Sequence, residues 1–303
     1  MVDITHKNNT LRKAIASAIV TVSKQETIDM IINKSIPKGD VLEFSRVAGL
    51  FAVKKTSEVI PDCHPLPVEY THIRHHIEGL TIKIEVEVHT IYKTGVEVEA
   101  MHGAAITALT LYDMLKPIDK GIEVSSIKLE TKTGGKSDAK NNSEITLNCV
   151  VIVCSDTISA GQNVDTSGKY LVNKLEEMGC KMMHFDIIPD EVERIRAKVQ
   201  HFSDVGADLL IFVGGTGLSE RDVTPQAISP LIDVEVPGIM ERLRSYGQDR
   251  MPYAMFSRGI AGFIKGTLVI TLPGSQGAVK DAVQALFPQI FHVFKVRDGY
   301  RHE

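Results

Sequence analysis

From Arg12 onward the apolar positions switch repeatedly between a period of two and a period of three to four, and each switch marks an element boundary. RKAIASAIVTV alternates as a strand, and Ser23 stands where a cap for a short helix over KQETIDMIIN is needed. After Lys38-Gly39-Asp40, VLEFSRVAGLFAVKKTSEVI repeats its apolar residues at three and four, which predicts a helix running to Ile60. PVEYTHIRHHI and LTIKIEVEVHTI read as two strands joined through Glu78-Gly79. In the second, Ile82, Ile84, Val86 and Val88 alternate with polar residues, so one face is buried and the other wet. Val96 to Lys116 reads as a long helix whose Ala100, Ala104 and Ala108 stack on one face, and IEVSSIKLET is a last strand. This order predicts an α+β unit, an antiparallel sheet with helices on one side.

Beyond the polar stretch TKTGGKSDAKNNSE the pattern changes kind. LNCVVIVCS is unbroken apolar, as expected of a strand covered on both faces. The helix GKYLVNKLEEMG, the strand KMMHFDII, the helix DEVERIRAKVQHFS and the strand DLLIFVGG follow. Later the strand TLVITLPG leads into the helix QGAVKDAVQAL. Strict alternation of strand and helix predicts an α/β unit, doubly wound and three-layered, with a mostly parallel sheet. The expected division is residues 1–136, a linker over 137–144, and residues 145–303.

Composition narrows the function. The 303 residues carry 34 Lys and Arg against 38 Asp and Glu, and acidic residues outnumber basic ones in both halves. A general nucleic-acid or membrane-surface binder would need an excess of cation. No segment approaches the roughly 18 unbroken apolar residues of a membrane span, and MVDITHKNNT has no apolar signal core, so a cytoplasmic protein with no nucleic-acid or membrane partner is expected. The four cysteines form no CxxC pair. Cys149 and Cys154 bracket VVIV and point to opposite faces of one strand, as buried apolar residues.

In the first half, Glu97 and Glu99 sit at the entrance of the long helix, and Asp113 with Lys116 shares one face near its end. Such a pair is either an ordinary surface ion pair or a proton-transfer couple with both pKa values displaced. Lys38, Lys54, Lys55, Lys132 and Lys136 fall near element ends, where ammonium groups can converge on a polyphosphate. Lys132 and Lys136 flank Gly134-Gly135, a segment able to close over an anion. Asp62-Cys63-His64 precedes a rigid proline turn, a natural position for a donor to substrate. His72, His75 and His76 carry no acidic ligand pattern and read as a solvated strand face rather than a metal site.

KGDVLEFSRVAG, CHPL, GVEVEAM, LYDMLK and TGGKS together make the first half resemble the MoaC family, the cyclic pyranopterin monophosphate synthases of molybdenum-cofactor biosynthesis. The resemblance implies conversion of a 3',8-cyclo-7,8-dihydroguanosine triphosphate to cyclic pyranopterin monophosphate, with release of pyrophosphate and no tightly bound cofactor. It implies a ferredoxin-like α+β fold and a homo-oligomer, commonly a hexamer, with active sites between subunits. Asp113 and Lys116 fall on the family's catalytic pair. Asp62, Cys63, His64, Val98 and Glu99 fall on its substrate contacts, with Lys38 and Lys54 as further anion-site candidates.

In the second half, Gly214-Gly215-Thr216-Gly217 follows a strand and precedes Arg221, Asp222 and Thr224. Glycines at a strand's carboxyl end let backbone N–H groups approach a phosphate, although tight turns of purely structural origin look the same. Ser155-Asp156, Asp165 to Gly168 and Pro273-Gly274-Ser275 lie at other strand or helix ends that an open α/β sheet gathers into one crevice. Asp156, Asp165 and Asp222 offer the hard oxygens that Mg²⁺ on a nucleotide prefers. Helix capping alone accounts equally well for Asp165 and Ser167.

SDT, DTSG, GGTGL, RDVTP, SRGIAG and LPGS make this half resemble the MoaB/Mog proteins. That resemblance implies binding of molybdopterin and its adenylylation with ATP and Mg²⁺, usually in a homo-oligomer, trimer or hexamer, with Asp222 as a metal-binding or catalytic position. It also puts the GGTG loop and Ser257-Arg258 near nucleotide or pterin phosphate. The expectation is a bifunctional enzyme whose small-molecule partners are a pterin precursor and molybdopterin. The alternative is a catalytic first half joined to a pterin-binding or oligomerisation module.

Overall fold

In the computed structural model, which describes residues 1–135, 146–297 and 299, the chain divides into two compact units, Met1–Lys140 and Asn141–Glu303. Lys136 and the expected linker over 137–144 lie outside the described residues. No helix among those described is long and apolar enough to cross a membrane.

The first unit runs β1 (Thr10–Thr21), α1 (Gln25–Ile32), α2 (Val41–Lys54), α3 (Thr56–Val59), β2 (Tyr70–Glu78), β3 (Thr81–Tyr92), α4 (Glu97–Leu115) and β4 (Glu123–Thr133). The sheet order is β2-β3-β1-β4 and every pairing is antiparallel. Register opposes Ala16 to Val86 and Ala18 to Ile84, so the apolar sets of β1 and β3 face the same way. The helices cover that face, and Ala100, Ala104 and Ala108 of α4 are fully buried against it. This is the predicted α+β architecture with helices on one side.

The covering helices approach closely because both carry glycine at the crossing. A Cβ on Gly49 of α2 would lie 2.0 Å from Thr107 Oγ1 and 2.8 Å from Ile73 Cδ1, and one on Gly103 of α4 would lie 2.6 Å from Val53 Cγ2. Three local expectations are corrected. Ser23 does not cap α1. Its hydroxyl and its N–H both donate to the buried Asp119, which Thr27 and Gly121 also reach. The helix from Val41 breaks at Lys55, because the Thr56 hydroxyl turns back onto the carbonyl oxygens of Ala52 and Val53 and competes with the ladder. His75 is not solvated: it faces the helices, its Nε2 lies 3.0 Å from Ser45 Oγ, and burial pushes its pKa down to about 4.

The second unit runs β5 (Asn148–Cys154), α5 (Asp156–Ser159), α6 (Ser167–Glu177), β6 (Lys181–Ile188), α7 (Val192–Asp204), β7 (Leu209–Val213), α8 (Thr224–Ile228), β8 (Val234–Glu235), α9 (Pro237–Gln248), β9 (Ala261–Ile264), β10 (Thr267–Leu272), α10 (Gln276–Leu286) and α11 (His292–Arg297). The sheet order is β6-β5-β7-β10-β9-β8. The first four strands are parallel, and β9 and β8 pair antiparallel at one edge. Alternate residues of β5 enter separate cores. Cys149, Val151 and Val153 pack with α6, α9 and α10, while Val150, Ile152 and Cys154 pack with α7 and α8. The three-layer expectation holds, with Cys149 and Cys154 buried on opposite faces.

Gly49→Val should destabilise the first unit by about 1–3 kcal/mol, the usual cost of overpacking a tight core. Denaturant titration of the variant against wild type measures this; an unchanged midpoint would mean that the helices do not pack this closely in solution.

Candidate functional site

In the first unit, helix geometry decides which candidates meet. Asp113 lies on the last turn of α4, where its Oδ1 is 2.7 Å from Lys116 Nζ and its Oδ2 is 2.8 Å from Lys38 Nζ. Lys38 also donates to the Asp113 carbonyl oxygen. Lys116 and then Lys38 hold the exposed carboxyl down to about 2, and Asp113 in return raises Lys116.

At the other end of α4, Glu99 is buried and accepts a hydrogen bond from the Cys63 thiol at 3.1 Å. Burial, with the Glu99 charge, pushes that thiol up to about 12, and burial raises Glu99 as well. Glu97 pairs with Lys132 at 3.1 Å. Gly95 makes room for it, since a Cβ there would lie 1.9 Å from Glu97 Oε2. His64 Nε2 meets the Val2 carbonyl oxygen at 2.8 Å, Asp62 pairs with the Met1 ammonium, and Val98 is exposed. Lys54 ends α2 and makes no ion pair among the described residues.

Glu99 and Asp113 are thus separated along one rigid helix by on the order of 21 Å, at about 1.5 Å rise per residue. The candidates form two half-sets that cannot act on one reacting atom within one copy. Sequence reasoning also missed Arg12, whose Nε donates to the Tyr92 carbonyl oxygen and whose guanidinium underlies Gly135. The signal was available: a strand register would have placed Arg12 beside the strand carrying Lys132.

In the second unit, the carboxyl ends of β5, β7 and β10 open into a cleft of about 990 Å³. The turn after β7 requires glycine: Gly214 has φ +110°, and a Cβ there would fall 2.1 Å from the Cys154 carbonyl oxygen. Gly274 comes against the same turn from β10, its absent Cβ 3.3 Å from Gly214 Cα. The loop is latched by Arg258, which donates to the carbonyl oxygens of Gly217 and Asp222 through its guanidinium and to that of Thr216 through its N–H. Arg258 therefore helps to hold the geometry of this loop. Asp222 accepts the Ser219 N–H at 2.9 Å, folding its carboxylate onto its own loop.

Asp165 accepts the N–H groups of Gly168 and Lys169 and caps α6 while lining the cleft. Ser167 donates to the Gly274 carbonyl oxygen, Ser155 and Ser275 cap α5 and α10, and Ser257, Gly215 and Pro273 line the wall. Asp156 accepts the N–H of Asp190 at 3.0 Å. Asp190 was read as the start of a helix, but Pro189 ends β6 and leaves it on the cleft. Its Oδ1 is buried without a hydrogen-bond partner, and burial, with the charges of Asp156 and Asp222, raises its pKa to about 6.

A buried carboxylate oxygen with no protein partner, faced by two further carboxylates, fits a hard divalent cation. No group of three or more His, Cys, Asp or Glu with metal-holding geometry occurs among the described residues. The protein's share of such a site would be one or two carboxylates, with water and ligand oxygens as the rest.

Two family models match the chain: the MoaC family over residues 1–135, and the family described as "Probable molybdopterin binding domain" over residues 150–292. The chain is 40% identical over 302 residues to the molybdenum cofactor biosynthesis bifunctional protein of Chlorobaculum tepidum, spanning 100% of this chain and 96% of that protein. It is 45% identical over 139 residues to the cyclic pyranopterin monophosphate synthase of Nitratidesulfovibrio vulgaris, spanning 45% of this chain and 86% of that one. Among solved structures, the molybdopterin biosynthesis enzyme MoaB of Thermus thermophilus is 31% identical, with 52% of this chain and 100% of that one covered at a TM-score of 0.49.

The raised pKa of Asp190 has a definite sign. The folded state binds this proton more tightly than the unfolded chain does, so the group costs stability as pH rises through about 4 to 6. In metal-free buffer, Asp190→Asn should raise the second unit's Tm by a few degrees at pH 7.5 and leave it unchanged at pH 4. An equal shift at both pH values would remove the electrostatic account.

Proposed function

The chain belongs to the bifunctional proteins of molybdenum cofactor biosynthesis, and from that premise we propose that it carries two activities. The first unit converts (8S)-3',8-cyclo-7,8-dihydroguanosine 5'-triphosphate to cyclic pyranopterin monophosphate and pyrophosphate. The second binds molybdopterin and transfers AMP from ATP to it, releasing pyrophosphate. The observation that carries the reading is the Asp113 carboxylate held between Lys116 and Lys38 at the end of α4.

Rearranging a purine-derived ring and closing a cyclic phosphate needs repeated proton transfers, and expelling pyrophosphate needs cations against the developing charge. Held near pKa 2 in the free protein, Asp113 is a weak base. A bound triphosphate competes for Lys116 and Lys38, and as they turn to it the carboxylate regains basicity where substrate arrives. Glu99 and Cys63 both hold protons more firmly than in water and supply the donor side. Because the half-sets lie at opposite ends of α4, the complete site uses Asp113, Lys116 and Lys38 from one copy and the Cys63–Glu99 end from another. A homo-oligomer is therefore part of the proposal.

In the second unit the GGTG loop offers backbone N–H groups to phosphates at the carboxyl end of β7. One or two of the carboxylates of Asp156, Asp190 and Asp222 would hold Mg²⁺, which when bound supplies charge neutralisation on the nucleotide phosphates. Arg258 keeps the loop in register with them.

Purified protein supplied with the cyclised triphosphate should release pyrophosphate, and Asp113→Asn should lower turnover by about 10²–10⁴-fold; full turnover by this variant would overturn the assignment. Asp113→Asn and Glu99→Gln, each inactive alone, should recover part of the activity when coexpressed, because some mixed interfaces then carry one intact site. With molybdopterin, ATP and Mg²⁺, the wild type should form an adenylylated pterin and Asp222→Asn should not. Pterin bound without product would favour a binding module.

A further inference from the structure

His102 stands on α4 three residues after Glu99 and four after Val98, so the three side chains are neighbours on one side of the helix. The segment that passes over this side is fastened to α4 twice. The Thr56 hydroxyl lies 3.2 Å from His102 Nδ1, and the Cys63 thiol lies 3.1 Å from Glu99 Oε1. Lys54 closes α2 two residues before Thr56. His102 therefore sits between that lysine and the Cys63–Glu99 pair.

The hydrogen bonds settle which ring nitrogen carries the proton. A hydroxyl has one proton to give. That of Thr56 goes to the carbonyl oxygens of Ala52 and Val53, at 3.0 and 3.1 Å, so its oxygen faces His102 as an acceptor. Nδ1 must then be the N–H, and Nε2 of the neutral ring keeps its lone pair. Among the described residues Nε2 meets no protein partner, and it is not sealed from solvent. The other two groups are of opposite character. Burial raises both Glu99 and the Cys63 thiol, so both hold their protons, and the thiol is already spent on Glu99. His102 adds a neutral acceptor to a pair of donors.

We propose that His102 is a further catalytic residue of the first unit: its Nε2 takes a proton from the cyclised guanosine triphosphate during the rearrangement, and Thr56 fixes the tautomer that makes this possible. The proposal rests on the reading of the first unit as a cyclic pyranopterin monophosphate synthase. The proton leaves an N–H or O–H of the substrate, whose bonding pair stays on that atom, and binds the Nε2 lone pair. Nδ1 keeps its own proton on Thr56 throughout. The imidazolium so formed returns its proton to a substrate atom in a later step, or to water.

The test separates the two ring nitrogens. Turnover of the cyclised triphosphate by the full-length wild type is compared with that of His102→Asn, His102→Gln and His102→Ala. An asparagine amide reaches the place of Nδ1 and still donates to Thr56, with nothing at Nε2. A glutamine amide reaches the place of Nε2, where it accepts a hydrogen bond but not a proton. His102→Asn and His102→Gln should both lower kcat by about 10²–10⁴-fold, the usual contribution of a general base, and His102→Gln should keep a KM close to that of the wild type. Imidazole added to His102→Ala should restore part of the lost turnover, and none in His102→Asn, where the amide fills the space. Full turnover by His102→Asn or by His102→Gln would overturn the proposal. In that case a lowered Tm in His102→Ala would leave His102 as a fastening between α3 and α4. A wild type that does not convert the triphosphate would instead sink the underlying reading of the first unit.

Discussion

An α-helix is a rigid spacer, and α4 sets the distances on which the first unit depends. Its buried face of Ala100, Ala104 and Ala108 fixes it on the sheet, and Gly103 lets α2 lie close across it. Its length then carries Glu97 and Glu99 at one end and Asp113 at the other. The residues that pack this helix thereby separate the chemistry into two half-sets. The second copy proposed above would bring such halves together.

The second unit gathers its groups by topology. Parallel strands point their carboxyl ends one way, so loops far apart in sequence converge without long-range design of each contact. Convergence this tight needs the absence of side chains at Gly214 and Gly274, where any Cβ would meet backbone. Once the turns touch, their carbonyl oxygens need donors, and Arg258 provides them. A charged residue beside a glycine-rich loop thus supports the loop itself.

The two units displace aspartates in opposite directions. Asp113 is exposed between two ammonium groups and held low; Asp190 is half-buried beside two carboxylates and held high. The first arrangement is relieved by an anion that draws the lysines away, the second by a cation that replaces the proton. The two units therefore store electrostatic imbalances of opposite sign.

Periodicity determined the two architectures, because strand alternation, unbroken apolar runs and helical spacing are local consequences of which faces meet water. It also determined that Asp113 faces Lys116, since three residues on a helix fix that neighbourhood. Burial of Cys149 and Cys154 on opposite faces followed in the same way from period two. What sequence could not determine were relations between elements. Ser23 has a capping residue's chemistry, but buried Asp119, far along the chain, takes both its N–H and its hydroxyl. Asp190 stood in a helical pattern, yet the end of β6 set it on the cleft and its neighbours raised its pKa. Local patterns record which way a residue points; the packing of distant elements decides what it points at, because that depends on the rest of the chain.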